Sequence, residues 1–240
     1  MKTVLVTGSS RGIGFAIASK FLKEGWNVAI NSGHNKEELE AAYNKLKKHN
    51  SLIMGEFADV SNYQQTEKLF KAVRQRFGPV DVLINNAGAA YVGLFNTMPP
   101  NAWDDIMCAN LGPVFNCSHL ALQDMVARKQ GVIVNISSIW GVVGASCEVV
   151  YSAAKGGVNS FTKALAKELG PSNIRVNAIA CGAIDTSMNK TFNTKELAEG
   201  IPMGRLGHPK EVAEAAFFLA SEKASYITGQ IIGVDGGGIA

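Results

Sequence analysis

Residues 7–14 read Thr-Gly-Ser-Ser-Arg-Gly-Ile-Gly and join a β-branched run, Thr3 to Thr7, to a stretch of helical periodicity that starts at Ile13. Glycines are needed in such a turn because a Cβ would obstruct it and hold the backbone away from a pyrophosphate. The amino terminus of the following helix stabilises that negative charge. The stretch therefore predicts the first unit of a dinucleotide-binding fold, with cofactor contacts from Gly8, Ser10, Arg11, Gly12, Ile13 and Gly14.

The alternation of strand and helix continues along the chain. Further β-branched runs predict strands at Val28 to Ser32, Leu52 to Phe57, Val82 to Asn85, Val132 to Ser137, Ile174 to Ile179 and Gln230 to Val234. Helical periodicity is found at about Ile13 to Glu24, Lys36 to His49, Tyr63 to Phe77, Trp103 to Arg128, Tyr151 to Leu169 and Glu211 to Ala220. Strands that alternate with helices need right-handed crossovers, which cover both faces of a parallel sheet. We predict an α/β Rossmann fold, a single domain over residues 1–240 with a doubly wound parallel sheet of about seven strands.

Composition and charge exclude several other classes of protein. The 240 residues are 47% hydrophobic and 18% charged, which is ordinary for a soluble enzyme with one core. A net charge of +3 does not favour a nucleic acid or a membrane surface as partner, and no apolar run approaches the roughly 18 residues of a membrane span. The four cysteines include no CxxC pair, so we expect neither a metal site nor a disulfide framework, but reduced thiols in the cytoplasm.

The end of the second predicted strand bears on the choice of cofactor. NAD-binding proteins of this fold usually carry an acidic residue there, which bonds the ribose 2′-hydroxyl. This strand ends with Asn31 and Ser32, both expected to contact the cofactor, and has no carboxylate. Arg11, with His34 or Lys36, is suited to attract a 2′-phosphate, although Arg11 has the alternative interpretation of a surface charge. The pattern favours NADPH over NADH and argues against an NAD-dependent sugar or polyol dehydrogenase.

Polar residues follow the third and fourth predicted strands at the edge of the sheet where ligands bind in such folds. Asp59 and Val60 come after the third strand, and Asn86, Ala87 and Gly88 come after the fourth. Asp59 has two interpretations, a cap for the helix that starts near Tyr63 and a contact to the adenine. All five residues are expected to line the cofactor site.

A tyrosine and a lysine four residues apart follow the fifth predicted strand. Tyr151 and Lys155 share one helix face at this spacing, so their polar groups can converge. A tyrosine has a pKa of about 10, and a nearby cation favours its ionised form. We expect Lys155, helped by the positive nicotinamide ring of the oxidised cofactor, to favour the ionised form of Tyr151, and Ser138 to hold a carbonyl oxygen on which negative charge develops. These residues predict hydride transfer to a ketone with Tyr151 as proton donor. Tyr151 and Lys155 are also expected to contact the cofactor.

With these motifs the chain resembles the short-chain dehydrogenase/reductase family over essentially its whole length. Residues 7–14 are similar to the family's cofactor motif, Asn85-Asn86-Ala87-Gly88 matches its central-strand motif, and Ser138, Tyr151 and Lys155 stand at its catalytic spacing. The resemblance implies that Asn110 holds a water that relays protons towards Lys155. The alternative for Asn110 is an amide that bends or caps its helix.

The resemblance also bears on the region after the sixth predicted strand. It implies that Ile184 and Thr186 brace the nicotinamide. Cys181-Gly182 stands where the family usually has proline and glycine, which leaves the rigidity of this loop open. The stretch from about Gly182 to Gly207 is the longest irregular one and is expected to form a lid or a substrate wall.

Two groups within the family resemble the chain in the region of the substrate. The general resemblance is to bacterial 3-oxoacyl-acyl-carrier-protein reductases, which are usually homotetramers and take a ketone carried on acyl carrier protein. A narrower resemblance, at Ser137 to Gly141 and Gly144 to Val149, is to reductases of a 5-aminopentanone group on elongation factor P. Trp140 and Glu148 are expected to border the substrate. Glu148 suits an amine, although the helix dipole favours a carboxylate there without any ligand.

Two further points stay open. Arg128 and Lys129 are candidate residues for docking an acidic carrier protein. A nucleotide-sensing module without catalysis is an alternative function, because a fold alone does not fix function. Such modules commonly lack the catalytic tyrosine and lysine, and this chain has both.

Overall fold

The computed structural model describes residues 1–48, 50–189 and 193–238. Within these ranges one sheet contains seven parallel strands in the order β3-β2-β1-β4-β5-β6-β7. The strands are β1 Thr3–Val6, β2 Asn27–Ser32, β3 Ile53–Phe57, β4 Val82–Asn85, β5 Gly131–Ser138, β6 Ile174–Cys181 and β7 Ile231–Val234. Every predicted strand is confirmed, with ends that shift by one or two residues.

The helices lie on both faces of this sheet. They are α1 Gly12–Lys23, α2 Lys36–Lys47, α3 Tyr63–Phe77, α4 Pro100–Arg128, α5 Trp140–Val143, α6 Val149–Leu169, α7 Thr194–Glu199 and α8 Pro209–Ala220. The six predicted helices are confirmed, although α2 was predicted to reach His49, which lies outside the described residues. The helices α5 and α7 were missed because neither is long enough to show a 3.6-residue period.

Two separate cores explain why the strands are apolar without alternation. Val4 and Val6 pack in the core beneath α1, α2 and α8, whereas Leu5 between them packs in the core beneath α3, α4 and α6. Successive side chains of a strand point to opposite faces, so a strand covered on both sides needs apolar residues at every position. This arrangement confirms the doubly wound sheet.

The strand order reverses between β1 and β4, and this reversal places the candidate site. The loops after these two strands run in opposite directions from the same edge and leave a crevice between them. Thr7 Oγ1 joins the loops by accepting hydrogen bonds from the backbone N–H groups of Asn86 and Ala87, both at 3.0 Å. The Asn86 side chain returns two bonds, to the carbonyls of Thr7 and Gly8 at 2.9 and 2.8 Å.

Two further features concern the class of protein. None of the described helices combines the length and the apolar character that crossing a membrane requires. All four cysteines are free thiols, and Cys117 and Cys181 are buried.

Candidate active site

The glycine-rich turn after β1 has the geometry of an anion-binding turn. Gly8 and Gly12 have φ values of +58° and +57°, in the region where glycine carries no steric cost. A Cβ on Gly8 would lie 2.8 Å from the Cα of Ala87, and one on Gly14 would lie 2.5 Å from the carbonyl oxygen of Gly8. The first turn of α1 has no acidic residue that would repel an anion. Its free backbone N–H groups and the helix dipole therefore favour a negatively charged group at this position. The residues present fit a pyrophosphate.

A cleft of about 890 Å³ extends from this turn along the carboxyl ends of β1, β2 and β4. Most of the predicted cofactor residues line it, namely Gly8, Ser10, Arg11, Gly12, Ile13, Asn31, Ser32, Asp59, Val60, Asn86, Ala87, Gly88 and Thr186. Gly14 is buried and does not line it, because it packs behind the turn against Gly8 and Asn86. The sequence therefore predicted the path of this cleft.

The buried amide of Asn31 fixes the end of β2. Its Nδ2 donates to the carbonyls of Glu56 and Ala58 at 3.2 and 2.9 Å, and its backbone N–H donates to Ser9 Oγ at 2.9 Å. Asn31 thus ties β2 both to the end of β3 and to the turn after β1. A carboxylate from another element enters the same region: Glu38, in the first turn of α2, also lines the cleft.

Glu38 was not among the predicted site residues because it lies six residues beyond the end of β2. The signal that would have found it is a polar residue followed three positions later by glutamate, which is typical of the start of a helix. Asn35 caps α2 by accepting from the backbone N–H of Glu38 at 2.8 Å. The cap fixes where the Glu38 side chain leaves the helix.

The capping role considered for Asp59 is wrong. Asn62 caps α3, and its side chain accepts from the backbone N–H of Gln65 at 3.0 Å. The carboxylate of Asp59 instead accepts from the backbone N–H and the hydroxyl of Ser61, at 2.9 and 2.8 Å. An aspartate can stabilise a local turn as readily as a helix end, and the turn leaves Asp59 on the wall of the cleft.

A smaller cavity of about 230 Å³ adjoins the cleft and shares Ile13, Asn86 and Thr186 with it. The predicted catalytic and substrate residues that line it are Asn110, Ser138, Trp140, Glu148, Tyr151 and Lys155. Ile184, which is predicted to brace the nicotinamide, lines it as well. Met188, Asn189 and Leu197, from the stretch predicted to form a lid or wall, also line it. The structure therefore brings all four predicted catalytic residues into one cavity next to the nucleotide cleft.

Tyr151 and Lys155 lie on one face of α6. The Lys155 Nζ lies 5.7 Å from the centroid of the Tyr151 ring and donates to the carbonyl of Ile136 at 3.0 Å. Burial lowers the pKa of Lys155 to about 8, against the opposing effect of Cys181. Burial also raises the pKa of Tyr151 well above its ordinary value, while a hydrogen bond with Ser138 lowers it.

The expected acidification of Tyr151 is thus absent from the protein on its own. Moving a phenolate out of water costs more free energy than its interactions with nearby groups in the protein recover. A phenol with a raised pKa keeps its proton at neutral pH, which is the form that a proton donor needs.

Asn110 supports the cavity from α4 and has an unsatisfied oxygen. Its Nδ2 donates to the carbonyls of Ala89 and Ile106, both at 2.8 Å, whereas its buried Oδ1 has no partner among the described residues. The Oδ1 lies beside Gly88, where a Cβ would come within 2.6 Å of it and within 3.4 Å of the Lys155 Nζ. Buried polar atoms almost always find a partner, so this acceptor suits a bound water close to Lys155. The bond to Ile106 is the local helix contact that the alternative interpretation expected.

Ser138, the last residue of β5, lies at the floor of the cavity. Its hydroxyl accepts from the backbone N–H of Trp140 at 3.1 Å. Asn159 was missed by sequence analysis, and it holds the surrounding backbone by accepting from Ser137 Oγ at 2.7 Å and donating to the carbonyl of Gly141 at 2.9 Å. Since neither contact has a spacing signature, only the fold could reveal this residue.

The loop after β6 is anchored without the usual proline. The carbonyl of Cys181 accepts from the backbone N–H of Ile139 at 3.0 Å, and the N–H of Gly182 donates to the carbonyl of Val234 at 3.0 Å. Further along, the Asn189 side chain donates to the carbonyl of Ile184 at 2.8 Å. The stretch from Gly182 to Gly207 is not wholly irregular, because it contains α7; residues 190–192 lie outside the described residues.

Glu148 immediately precedes α6 but does not cap it. Its carboxylate forms a hydrogen bond with the Trp140 side chain instead, and half-burial raises its pKa although that bond lowers it. Both residues line the cavity. Glu148 therefore lies both on the wall of the cavity and at the start of α6, where the helix dipole favours a carboxylate.

The basic pair considered for carrier docking does not line this cavity. Arg128 ends α4 and donates to the Asp81 carboxylate at 2.6 Å and to the carbonyl of Val80 at 2.9 Å. Asp81 immediately precedes β4, so Arg128 lies at the amino edge of the sheet, opposite the catalytic edge. The docking of an acidic carrier protein at Arg128 and Lys129 stays a prediction.

Comparisons with known proteins identify the family of the chain. A sequence profile described as short chain dehydrogenase matches residues 2–197. The 3-oxoacyl-[acyl-carrier-protein] reductase FabG of Chlamydia trachomatis is 42% identical over 240 residues, which cover 98% of this chain and 96% of the relative. The uncharacterized oxidoreductase YmfI of Bacillus subtilis is 41% identical over 242 residues, which cover 98% of each. A crystal structure of an actinorhodin polyketide ketoreductase variant with NADPH superposes with a TM-score of 0.95 at 34% identity, covering 100% of this chain and 98% of the other.

Proposed function

The chain belongs to the short-chain dehydrogenase family, and from this premise we propose that it is an NADPH-dependent 3-oxoacyl-acyl-carrier-protein reductase that serves fatty-acid synthesis. The observation that carries the proposal is the convergence of Asn110, Ser138, Tyr151 and Lys155 in one cavity that opens into the nucleotide cleft. The name of the Chlamydia trachomatis relative supports this substrate class. Because residues that line the nucleotide cleft also line the smaller cavity, we propose that residues 1–240 form one domain that both binds the coenzyme and carries out catalysis.

NADPH fits the cleft on the evidence of the glycine turn and of Arg11, which is exposed at its rim. When bound, it supplies a hydride to the carbonyl carbon of the substrate. The turn at Gly8 to Gly14 would hold the pyrophosphate. Arg11 would hold the 2′-phosphate together with Ser10 and His34, which line the cleft, whereas Lys36 does not line it. Ile184 and Thr186, on the wall shared with the smaller cavity, would brace the nicotinamide end.

The side chains of the smaller cavity handle the carbonyl oxygen and its proton. Ser138 binds the oxygen and stabilises the charge that develops on it. Tyr151 donates its phenolic proton to that oxygen, so that the ketone becomes an alcohol. Lys155 stabilises the phenolate that remains, and a water on Asn110 Oδ1 passes a proton inwards to restore the phenol.

The direct test is NADPH oxidation in the presence of acetoacetyl-acyl-carrier protein. We expect saturable turnover within the ordinary range of enzymes, about 1 to 1,000 per second. NADH should be a poorer reductant under the same conditions. Failure of the protein to oxidise NADPH with this thioester would contradict the proposed substrate class.

Glu148 favours a second candidate, reduction of the 5-aminopentanone group on elongation factor P. Its carboxylate lies at the wall of the cavity and is held by Trp140. A carboxylate there would bind the ammonium of an amino-ketone through a charge-assisted hydrogen bond. An uncharged acyl chain gains nothing from it.

Replacement of Glu148 by glutamine separates the two substrates. If the amino-ketone is the substrate, kcat/KM for elongation factor P that carries it should fall about tenfold, as expected for one lost charge-assisted contact. The same variant should reduce acetoacetyl-acyl-carrier protein within about twofold of wild type, which controls for damage to the site. Equal values for wild type and variant on the amino-ketone would remove Glu148 from substrate recognition.

The assembly is proposed to be a homotetramer in the cytoplasm. Phe115 on α4 remains 48% exposed although it contacts Phe161 on α6, with ring centroids 5.3 Å apart. An apolar patch of this kind on two long helices suits a subunit contact. Sedimentation of the purified protein measures this directly, and a monomer would contradict it.

A further inference from the structure

The far end of the nucleotide cleft contains a carboxylate that the proposed reaction does not use. Glu38 accepts a hydrogen bond from Ser10 Oγ at 2.8 Å through its Oε2. Its Oε1 lies 3.6 Å from the Arg11 Nη1. The Glu38 carboxylate therefore contacts Ser10 and Arg11, two of the side chains that are proposed to hold a 2′-phosphate.

The position of Glu38 is fixed by α2 rather than by chance contact at the surface. Its backbone N–H is bonded by the Asn35 cap, and the next residue, Leu39, is buried in the core beneath α1, α2 and α8. The Glu38 side chain is 33% exposed, whereas that of Arg11 is 67% exposed. The carboxylate is thus the more firmly held partner, and Arg11 is the group that can move.

Of two adjacent glutamates, one makes this contact and the other does not. Glu37 and Glu38 both lie in the first turn of α2, where the helix dipole favours negative charge. The Glu37 side chain is exposed and has no hydrogen bond or ion pair within residues 1–48, 50–189 and 193–238. Only Glu38 reaches the cleft.

We propose that Glu38 is a coenzyme-selecting residue, which limits the preference for a 2′-phosphate by competing with it for Ser10 and Arg11. The inference rests on the proposed function, in which this cleft binds NADPH. A 2′-phosphate must displace the Glu38 carboxylate from Ser10 and Arg11, and the negative charge of that carboxylate also repels it. A 2′-hydroxyl meets no such repulsion and can donate a hydrogen bond to the carboxylate, as the ribose hydroxyl does to the acidic residue of NAD-binding relatives of the fold. The wild-type site therefore discriminates between the two coenzymes less strongly than Ser10 and Arg11 alone would.

The test uses nucleotide fragments, so that it does not depend on turnover. The dissociation constants of 2′,5′-ADP and 5′-AMP are measured by calorimetry for the wild type, Glu38→Gln and Glu37→Gln. Glutamine keeps the size of the side chain and removes its charge. The preference for 2′,5′-ADP should rise about five- to tenfold in Glu38→Gln, as expected for one charge removed a few ångströms away in a half-exposed site. It should change less than twofold in Glu37→Gln, which loses the same net charge from the same helical turn.

The gain should also depend on Arg11. In an Arg11→Gln background the same Glu38→Gln change should raise the preference for 2′,5′-ADP by less than about threefold. The reason is that the guanidinium that the change would release for the 2′-phosphate is then missing.

The possible outcomes separate this inference from the proposed function. If the wild type prefers 2′,5′-ADP and Glu38→Gln shows the same preference or a lower one, the selecting role of Glu38 is overturned and the proposed function stands. Equal gains in Glu38→Gln and Glu37→Gln would also overturn it, because the effect would then be the general charge of the helix. A wild type that binds neither fragment would overturn the proposed coenzyme and this inference together.

Discussion

Replacing Tyr151 by phenylalanine is expected to lower kcat for ketone reduction about a thousandfold, while the dissociation constant for NADPH stays within about twofold. The loss is in the range that a general acid contributes. The phenol lines the smaller cavity rather than the nucleotide cleft, so its removal should spare coenzyme binding. Turnover is followed by NADPH oxidation, and coenzyme binding by fluorescence quenching.

Tyr63→Phe is the matched control for this prediction. Tyr63 begins α3 and contacts His119, with ring centroids 5.9 Å apart, outside both cavities. Its loss of a hydroxyl should leave kcat within about twofold of wild type. A Tyr151→Phe variant with the turnover of Tyr63→Phe would remove the phenol from the reaction.

Replacing Lys155 by methionine is expected to change how stability depends on pH. Burial lowers the pKa of Lys155 in the folded protein to about 8 from an ordinary value of 10.5. Between these two values the unfolded chain holds a proton that the folded protein has released, so the free energy of unfolding rises with pH. The wild type should gain about 3 kcal/mol relative to Lys155→Met between pH 8 and pH 10.5. Below pH 8 the difference between the two proteins should be flat.

Urea unfolding of both proteins across this pH range measures the difference, and groups common to both cancel. Lys163→Met, on the exposed side of the same helix, is the control and should stay within about 0.5 kcal/mol of wild type throughout. Parallel stability curves for wild type and Lys155→Met would show that the ammonium bears no burial cost. The proposed environment of the catalytic pair would then be wrong.

Motif order predicted the architecture well because each motif marks the end of a strand. The turn at Gly8 to Gly14, the residues after β4, and the pair Tyr151 and Lys155 each follow a parallel strand or start the next helix. The carboxyl ends of such strands meet at one edge, so placing the motifs on strands sufficed to place them together in space. For this reason the order of the motifs along the chain was enough to predict that their residues lie around adjoining cavities.

Features that depend on surroundings rather than on topology are not visible in the sequence. Lys155 and the oxidised nicotinamide are expected to acidify Tyr151, but the sequence gives no measure of how deeply α6 and β5 bury the pair, and burial raises the pKa of Tyr151 in the protein without coenzyme. Glu38 was missed because its carboxylate meets Ser10 only after α2 folds back beside the turn. The sequence also does not show at which edge of the sheet the 29-residue helix α4 ends with Arg128.

Hydride transfer in this site is tested with NADPH that carries deuterium in place of both hydrogens at C4 of the nicotinamide. With acetoacetyl-acyl-carrier protein as substrate, hydride transfer predicts a 3-hydroxybutyryl product that carries one deuterium at C3, detected by mass spectrometry. It also predicts one equivalent of NADP⁺ for each alcohol formed. A 3-hydroxy product without deuterium, or oxidised coenzyme without any alcohol, would contradict hydride transfer to a ketone in this site.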